Sequence, residues 1–318
     1  MLAVAAVAVL ALAIVSLFVG ASDISLSGIL ASGWDDGPLQ VLLVSRLPRT
    51  LALILAGTAM AVAGTLMQML ARNRFAEPST VGTAEAANLG FLLVLLVVPD
   101  ASIPVRLAVA SGVALLGTMI FLRILNRIPL QSTLLVPIIG IMLGGVINAV
   151  ATFIAYRFDL MQSLATWSTG DFSMILIGRY EALWIGLALT LIAYRLADWF
   201  TVAGMGRDFT INLGLNYRFV VFFGLAIVSV ITAVVVGSVG MIPFLGLVVP
   251  NLVSLALGDN MRRAVPWVAV LGAGIVLACD IAGRLIIYPY EIPIGTLLGV
   301  LGSSLFLFLL LRKHARLA

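Results

Sequence analysis

The stretch Phe219–Val239, FVVFFGLAIVSVITAVVVGSV, carries no charge from one end to the other. A helix needs about 20 apolar residues to cross about 30 Å of hydrocarbon. This segment meets that length, and it is bounded by Arg218 before it and by Gly240-Met241-Ile242-Pro243 after it. Nine further segments read the same way, which gives candidate spans at 1–20, 47–71, 81–99, 104–122, 132–155, 181–197, 218–239, 243–257, 266–284 and 293–311. The eighth is short, and Gly240 to Pro243 predicts a tight turn or a broken helix, because proline removes a donor and glycine permits bending.

The whole chain agrees. Of its 318 residues 62% are hydrophobic, 10% charged and 8% aromatic, where a soluble domain has about 45–50% apolar and about 25% charged residues. A mean hydropathy of +1.20 excludes a cytoplasmic enzyme, a secreted binding protein and a disordered chain. The expected fold class is all-α, a polytopic membrane protein of ten transmembrane helices. The first segment has no basic stretch before it and is longer than a signal-peptide core of about 7–15 residues, so it reads as a span.

Lys and Arg in short loops set orientation. With Arg72-Asn73-Arg74 placed in the cytoplasm, twelve of the 18 basic residues fall inside: Arg72, Arg74, Arg123, Arg127, Arg195, Arg207, Arg218, Arg262, Arg263, Arg312, Lys313 and Arg316. The other six, Arg46, Arg49, Arg106, Arg157, Arg179 and Arg284, fall outside. Both termini are then expected in the cytoplasm. The longest loops are 21–45, 156–180 and 196–217, too short for a soluble domain, so residues 1–318 read as one membrane domain.

Chemistry-bearing residues are few. One Cys, Cys279, and one His, His314, exclude a disulfide framework and His-pair or Cys-based metal sites. Lys313 is the only lysine, so there is no phosphate-binding GxxxxGK[ST] loop, and any ATP must be hydrolysed by a partner. No HExxH motif occurs, and Asp35-Asp36 is a lone acidic pair in an outer loop. An intramembrane enzyme is therefore disfavoured. An ion-coupled transporter would want several ionisable groups near the midplane, where only Glu85 and Asp280 are candidates. The positive charge, +4, concerns the bilayer sides rather than nucleic acid.

The polar residues define candidate sites. Ser45-Arg46-Leu47-Pro48-Arg49-Thr50 opens the second span, with proline suited to a first helical turn. Arg46 and Arg49, three apart, share a face on the side where basic residues are disfavoured. They fit docking of an acidic external partner or snorkelling to headgroups. Arg284 ends the ninth span on the same side, with Asp280 one turn before it as an i,i+4 partner. The three arginines would cluster only if spans two and nine are neighbours. Glu85 and Asn88 enter the third span after the segment 72–83, which suggests a gate or packing role. Gln68, Asn148 and Thr152 lie deep in their spans, where inter-helix hydrogen bonds or a transport path would use them. The inner loop 196–217 predicts one or two short surface helices, with Asp208 as a cap preceding a short apolar stretch and Gly214 capping its end. They would dock a soluble partner or rest on lipid. The outer segment 157–173, with Trp167-Ser168-Thr169-Gly170-Asp171-Phe172-Ser173, predicts a short helix and turn over a pore mouth, facing substrate, partner or lipid.

These motifs resemble a family. Ser45–Thr50, then Gly64-Thr65-Leu66-Met67-Gln68, Arg72–Pro78, Gly246-Leu247-Val248-Val249-Pro250-Asn251, Glu291-Ile292-Pro293-Ile294-Gly295 and the basic C-terminus are similar, in order, to FecCD-type permeases. These are the ABC importer subunits for ferric siderophores, haem and vitamin B12. Finer matches resemble the branch for catechol-type siderophores such as anguibactin, petrobactin and enterobactin. They are Phe75 with Pro78–Thr83, Trp167 with Gly170–Met174, Gly258-Asp259-Asn260, and Cys279-Asp280 with Gly283-Arg284 and Tyr288–Glu291. Many family members carry Asn-Pro-Leu-Ala at 73–76 and His at 251; here the residues are Asn73-Arg74-Phe75-Ala76 and Asn251.

The resemblance implies a non-enzymatic permease in a bacterial inner membrane, moving a ferric siderophore without binding a cofactor or resident metal itself. Haem or vitamin B12 is the alternative cargo. It implies a second permease subunit, usually a different chain, two cytoplasmic ATPases that bind ATP, and a periplasmic or lipoprotein siderophore-binding protein. Arg46, Arg49 and Arg284 would meet acidic residues of that binding protein. Loop 196–217, with Gly206, Arg207, Asp208, Phe209, Asn212, Leu213 and Gly214, would couple to the ATPases.

Overall fold

The computed structural model describes residues 1–20, 37–128, 135–258 and 260–314. Asp35-Asp36, Asp259, the start of the fifth predicted span and Arg316 lie outside the described residues. Every described element is a helix. In chain order they are α1 (Leu2–Phe18), α2 (Gly37–Val41), a π-helical turn (Leu42–Arg46) and α3 (Leu47–Leu70). Next come α4 (Thr83–Val97), α5 (Ile103–Leu125), α6 (Leu135–Arg157) and α7 (Met161–Ser168). Then follow α8 (Leu183–Arg195), α9 (Ala197–Met205) and α10 (Arg207–Asn212). The chain ends with α11 (Tyr217–Val239), α12 (Leu245–Leu257), α13 (Met261–Ile286) and α14 (Ile294–His314).

Among the described residues, five helices are long and apolar enough to cross a membrane: Leu39–Leu70, α5, α6, α11 and α13. A sixth is available if α8 and α9, bent by 65° at Leu196, count as one span. Four shorter apolar helices complete the set: α1, α4, α12 and the Ile294–Phe308 part of α14. The second span begins earlier than its sequence suggests. Helix runs from Gly37 through the π turn into α3, and Pro48 occupies the first turn of α3 alone.

The break after α11 is where Gly240 to Pro243 predicts it. Gly240 has φ 81 and Phe244 φ 63, and α12 begins at Leu245.

The core is built around α3. Of its apolar window 83% is buried, against 22% for α6, so α3 is the central post and α6 a peripheral one. Ala52, Ala56, Ala59, Ala61 and Ala63 are fully buried. Lipid tails are as apolar as leucine, so helices associate here by close packing of small side chains. A Cβ added at Gly64 would lie 2.1 Å from the Gly246 carbonyl oxygen of α12, and one at Gly57 would lie 2.7 Å from that of Gly272 on α13. Backbone therefore touches backbone at both crossings. The most extensive helix pair is α3 with α13, which makes the predicted spans two and nine neighbours.

Two local readings change. The segment 196–217 is not all surface. Its first half, α9, packs on α3, α11 and α13 with Ala197, Phe200 and Ala203 buried. The second short helix starts at Arg207, one residue before Asp208, because Gly206 at φ 117 makes the reversal and serves as N-cap. Gly214, φ 78, stands just beyond its end as expected.

Candidate functional site

The end of α1, the π turn, the start of α3 and the end of α13 converge at one end of the bundle. There Arg46, Arg49 and Arg284 come together. The π turn widens the helix by one residue just before Arg46 and turns that side chain inward, where its Nη1 donates to the Leu17 carbonyl at 2.9 Å. Arg49 donates from Nε and Nη2 to Asp280 Oδ1 at 3.1 and 2.7 Å, and Nη2 also pairs with Glu291 at 2.8 Å. Arg284 pairs with Asp280 Oδ2 one turn earlier, and also donates to Ser16 Oγ and to the Ser16 and Val19 carbonyls.

Asp280 is therefore a bridge. Its side chain has no exposed surface and holds two guanidiniums on opposite oxygens. Buried charges persist only when paired and hydrogen-bonded, and the carbonyls at the end of α1 complete the set. Arg46 and Arg284 are only 7% and 5% exposed. Glu291, with 31% of its side chain exposed, forms the solvent-side edge of the cluster. The i,i+4 pairing of Asp280 with Arg284 is legible in the sequence. The second hold, on Arg49 across 231 positions, is not, and neither is the role of Ser16.

A second polar centre lies in the connection 71–82. Glu77 is fully buried. Its Oε1 accepts from the Phe244 amide at 2.8 Å and from Ser79 Oγ, and the carboxyl faces the first amides of α12, at Gly246 and Leu247. A carboxylate at a helix N-terminus meets the positive end of the dipole, which anchors the broken end of α12. Sequence reading passed over Glu77, although an acidic residue beside a proline between two spans was the available signal. Asn251 Nδ2 donates to the Arg74 carbonyl at 2.8 Å. Residues 73–76 and Asn251, far apart in the chain, thus sit against each other.

Burial pushes the Glu77 carboxyl up to about 7, against a usual value of 4.5. Below 4.5 the group is protonated folded and unfolded alike. Between 4.5 and 7 the folded state holds the extra proton, so stability falls as pH rises through that window and then levels off. Glu77→Gln should flatten this slope, checked by thermal unfolding in detergent at pH 5, 6, 7 and 8.

The other candidates separate. Gln68 Nε2 reaches the Gly246 carbonyl at 3.4 Å. Glu85 faces α6, where a Cβ on Gly144 would lie 3.3 Å from its carboxyl carbon, and among the described residues its buried Oε2 finds no hydrogen-bond partner. Asn88 is buried with Oδ1 likewise unbonded. Asn148 is exposed and Thr152 half-buried on α6. These five share no hydrogen bond with one another among the described residues.

At the opposite end of α3, α10 presents Phe209, Ile211 and Leu213, each more than half exposed. Arg207, Asp208 and Asn212 are exposed beside them. Thr210, fully buried, anchors the helix inward, its hydroxyl donating to the Val202 carbonyl of α9 at 3.2 Å. Gly206 packs against the guanidinium of Arg72, itself at φ 49 just past α3. The segment 157–173 forms α7 and then pairs its backbone with the α11–α12 break, through Met241 N to Trp167 O and Asp171 N to Val239 O, and with the start of α14, through Gly295 N to Gly170 O. It closes over the breaks before α12 and α14 together.

A profile of the FecCD transport family matches residues 8–312. The petrobactin import system permease YclN of Bacillus subtilis (strain 168) is 46% identical over 304 residues, covering 96% of each chain. The petrobactin import system permease FatD of Bacillus anthracis is 45% identical, covering 98% of this chain and 91% of that one. Vitamin B12 permeases stand further off, near 30%. Among solved structures, one described as an inward-facing metal-chelate type ABC transporter superposes with a TM-score of 0.77 at 23% identity, covering 98% of both chains. That superposition concerns the fold, whereas the profile and the near-full-length identities concern descent. The profile covers nearly the whole chain and the relatives match it almost end to end, so the chain belongs to the FecCD transport family.

Proposed function

We propose that this chain is a permease subunit of an ATP-binding-cassette importer for ferric siderophores, of the catechol-type class. The observation that carries the substrate class is near-full-length similarity of about half the positions to petrobactin permeases (46% and 45%), while vitamin B12 permeases match at 30%. In this reading residues 1–318 form one domain with ten spans, the four shorter apolar helices and the α8–α9 pair supplying those beyond the five long ones. Both termini face the cytoplasm of a bacterial inner membrane.

The assembly pairs this chain with a second, different permease. The open apolar face of α6, with Ile141, Met142 and Val146 exposed, supports such a partner. Of the assembly's two ATPases, one docks at α10 of this chain, where exposed Phe209, Ile211 and Leu213 offer an apolar anchor and Gly206 and Gly214 fix the reversal and end of the helix. The siderophore-binding protein, periplasmic or lipid-anchored, docks at the end of the bundle where Arg46, Arg49 and Arg284 gather, meeting Arg49 and Glu291 at the surface while the buried Arg46 and Arg284 hold that edge from beneath. An acidic side chain arriving there would compete with Glu291 for Arg49. Gln68, Glu85, Asn88, Asn148 and Thr152 are the candidates for the path and its gates.

No bond is made or broken by this chain. ATP binding closes the ATPases, α10 carries that motion into α9 and the bundle, and the path opens to the other side. The shift requires that ATP bind one transport state more tightly than the other.

Co-purification of an ATPase with the permease separates this reading from an ion-coupled transporter, which would bring none. Phe209→Asp puts a charge into the apolar anchor. It should reduce the ATPase recovered per permease at least about tenfold, since truncating a central hot spot costs about 2 kcal/mol or more. Permease abundance should be unchanged, because Phe209 is not part of the core. Equal recovery with Phe209→Asp would place the ATPase contact elsewhere.

A further inference from the structure

We infer that the recess between α5 and α11 is a binding site for an anionic phospholipid. It has a volume of about 800 Å³, and five arginines line it: Arg72, Arg123, Arg127, Arg207 and Arg218. They come from the end of α3, the end of α5, the start of α10 and the start of α11. Among the described residues no Asp or Glu lines the recess, and none of the five arginines is in an ion pair. Like charges gathered this way repel one another unless an anion sits among them. The N-terminus of α11 adds the positive end of its dipole at Arg218.

The chemistry of the recess changes along its length. Beyond the arginines its wall is Met119 and Leu122 of α5 with Val221, Phe222 and Leu225 of α11. Ile120 between these two α5 residues, Leu116 one turn further from the arginines, and Phe222 itself are at least half exposed. A phosphate at the basic end and an acyl chain along the apolar strip would match both halves. Basic pockets between spanning helices, at the membrane surface, hold anionic headgroups. A soluble phosphate would leave the strip unused, and an acidic protein segment would have to enter the plane of the bilayer to cover it. The inference requires only that α5 and α11 cross a bilayer, and it is independent of the cargo proposed above.

The test is native mass spectrometry of the purified full-length permease, titrated with dioleoyl phosphatidylglycerol, dioleoyl phosphatidylcholine or glycerol phosphate. Wild type should retain phosphatidylglycerol at least tenfold more tightly than phosphatidylcholine. Each removed arginine should weaken the anionic lipid about fivefold, so Arg123→Gln/Arg127→Gln/Arg218→Gln should lose about 100-fold. The matching triple Lys variant, which keeps charge and bulk, should retain most of the binding and so controls for folding. Arg157→Gln/Arg179→Gln/Arg195→Gln, with the same charge loss elsewhere, should bind like wild type. Equal loss in both Gln triples would overturn the site, leaving only net charge. Glycerol phosphate binding as tightly as the lipid would overturn it in favour of a soluble anion. Loss of the co-purifying ATPase from the recess triple, with lipid binding intact, would overturn it in favour of a protein partner.

Discussion

Asp280→Ala is expected to leave little folded permease in the membrane. The side chain has no exposed surface and bridges Arg49 and Arg284. Removing one member of a buried ion pair costs about 3–5 kcal/mol, because the remaining charge stays desolvated without a partner. Here two guanidiniums lose the same carboxylate, although Glu291 and the carbonyls of Ser16 and Val19 keep part of their shells. Asp280→Asn retains shape and one acceptor but no charge, so it should fall between. The comparison is Asp198→Ala, which breaks an ion pair with Arg262 whose side chains are 59% and 64% exposed. Such pairs contribute about 0–1 kcal/mol. Detergent-solubilised yield and thermal unfolding by size-exclusion should rank the variants Asp198→Ala, Asp280→Asn, Asp280→Ala from mildest to worst. An Asp280→Ala protein as stable as Asp198→Ala would mean that the bridge does not hold α3, α13 and α1 together.

Gly64→Ala should be nearly as damaging, for a steric reason. The added Cβ would stand 2.1 Å from the Gly246 carbonyl oxygen and 2.3 Å from its Cα. Both obstacles are backbone, so no rotamer change relieves them, and α3 and α12 must move apart. Overpacking a core costs about 1–3 kcal/mol and occasionally more, and a rigid backbone clash belongs at the upper end. Gly246→Ala meets its nearest atom at 2.9 Å and should be milder. Gly112 on α5 has nothing within 4 Å of its Cβ position. Gly112→Ala should be neutral or gain about 0.5–1 kcal/mol from helix propensity. The same unfolding assay orders the three.

The sequence carries the long helices because hydrophobicity accumulates along one segment. Phe219–Val239 needs no partner to be recognised, and the break at 240–244 follows from glycine and proline chemistry. What it does not carry is which helices touch. Gly64 and Gly246 are 182 positions apart, and nothing local to either says that their backbones meet. Arg49 and Asp280 are likewise joined only by the crossing of α3 and α13. Asp280 and Arg284, one turn apart, could be paired on paper; the third member could not. Glu77 was missed because its meaning depends on the amides of a helix far along the chain. The start of α10 is a competition between cap types: Gly206 caps it where the sequence offers Asp208 as the cap. Asp208 is a good N-cap residue, but Gly206 at φ 117 makes a reversal that other residues resist, so the helix begins two residues earlier than an Asp208 cap would start it. The surface of α9 was overestimated because its few polar residues mask three buried ones, Ala197, Phe200 and Ala203.

The central claim is transport of a ferric siderophore by this chain as part of an ATP-driven importer. The most direct measurement is uptake of radiolabelled iron as ferric petrobactin by iron-starved cells that lack only this permease and keep its partner subunits. Complementation with the wild-type gene should restore ATP-dependent uptake, while an empty vector or a variant that loses its ATPase should not. Wild-type protein present in the membrane at normal abundance, with no uptake of ferric petrobactin or any other catechol-type siderophore, would contradict the account.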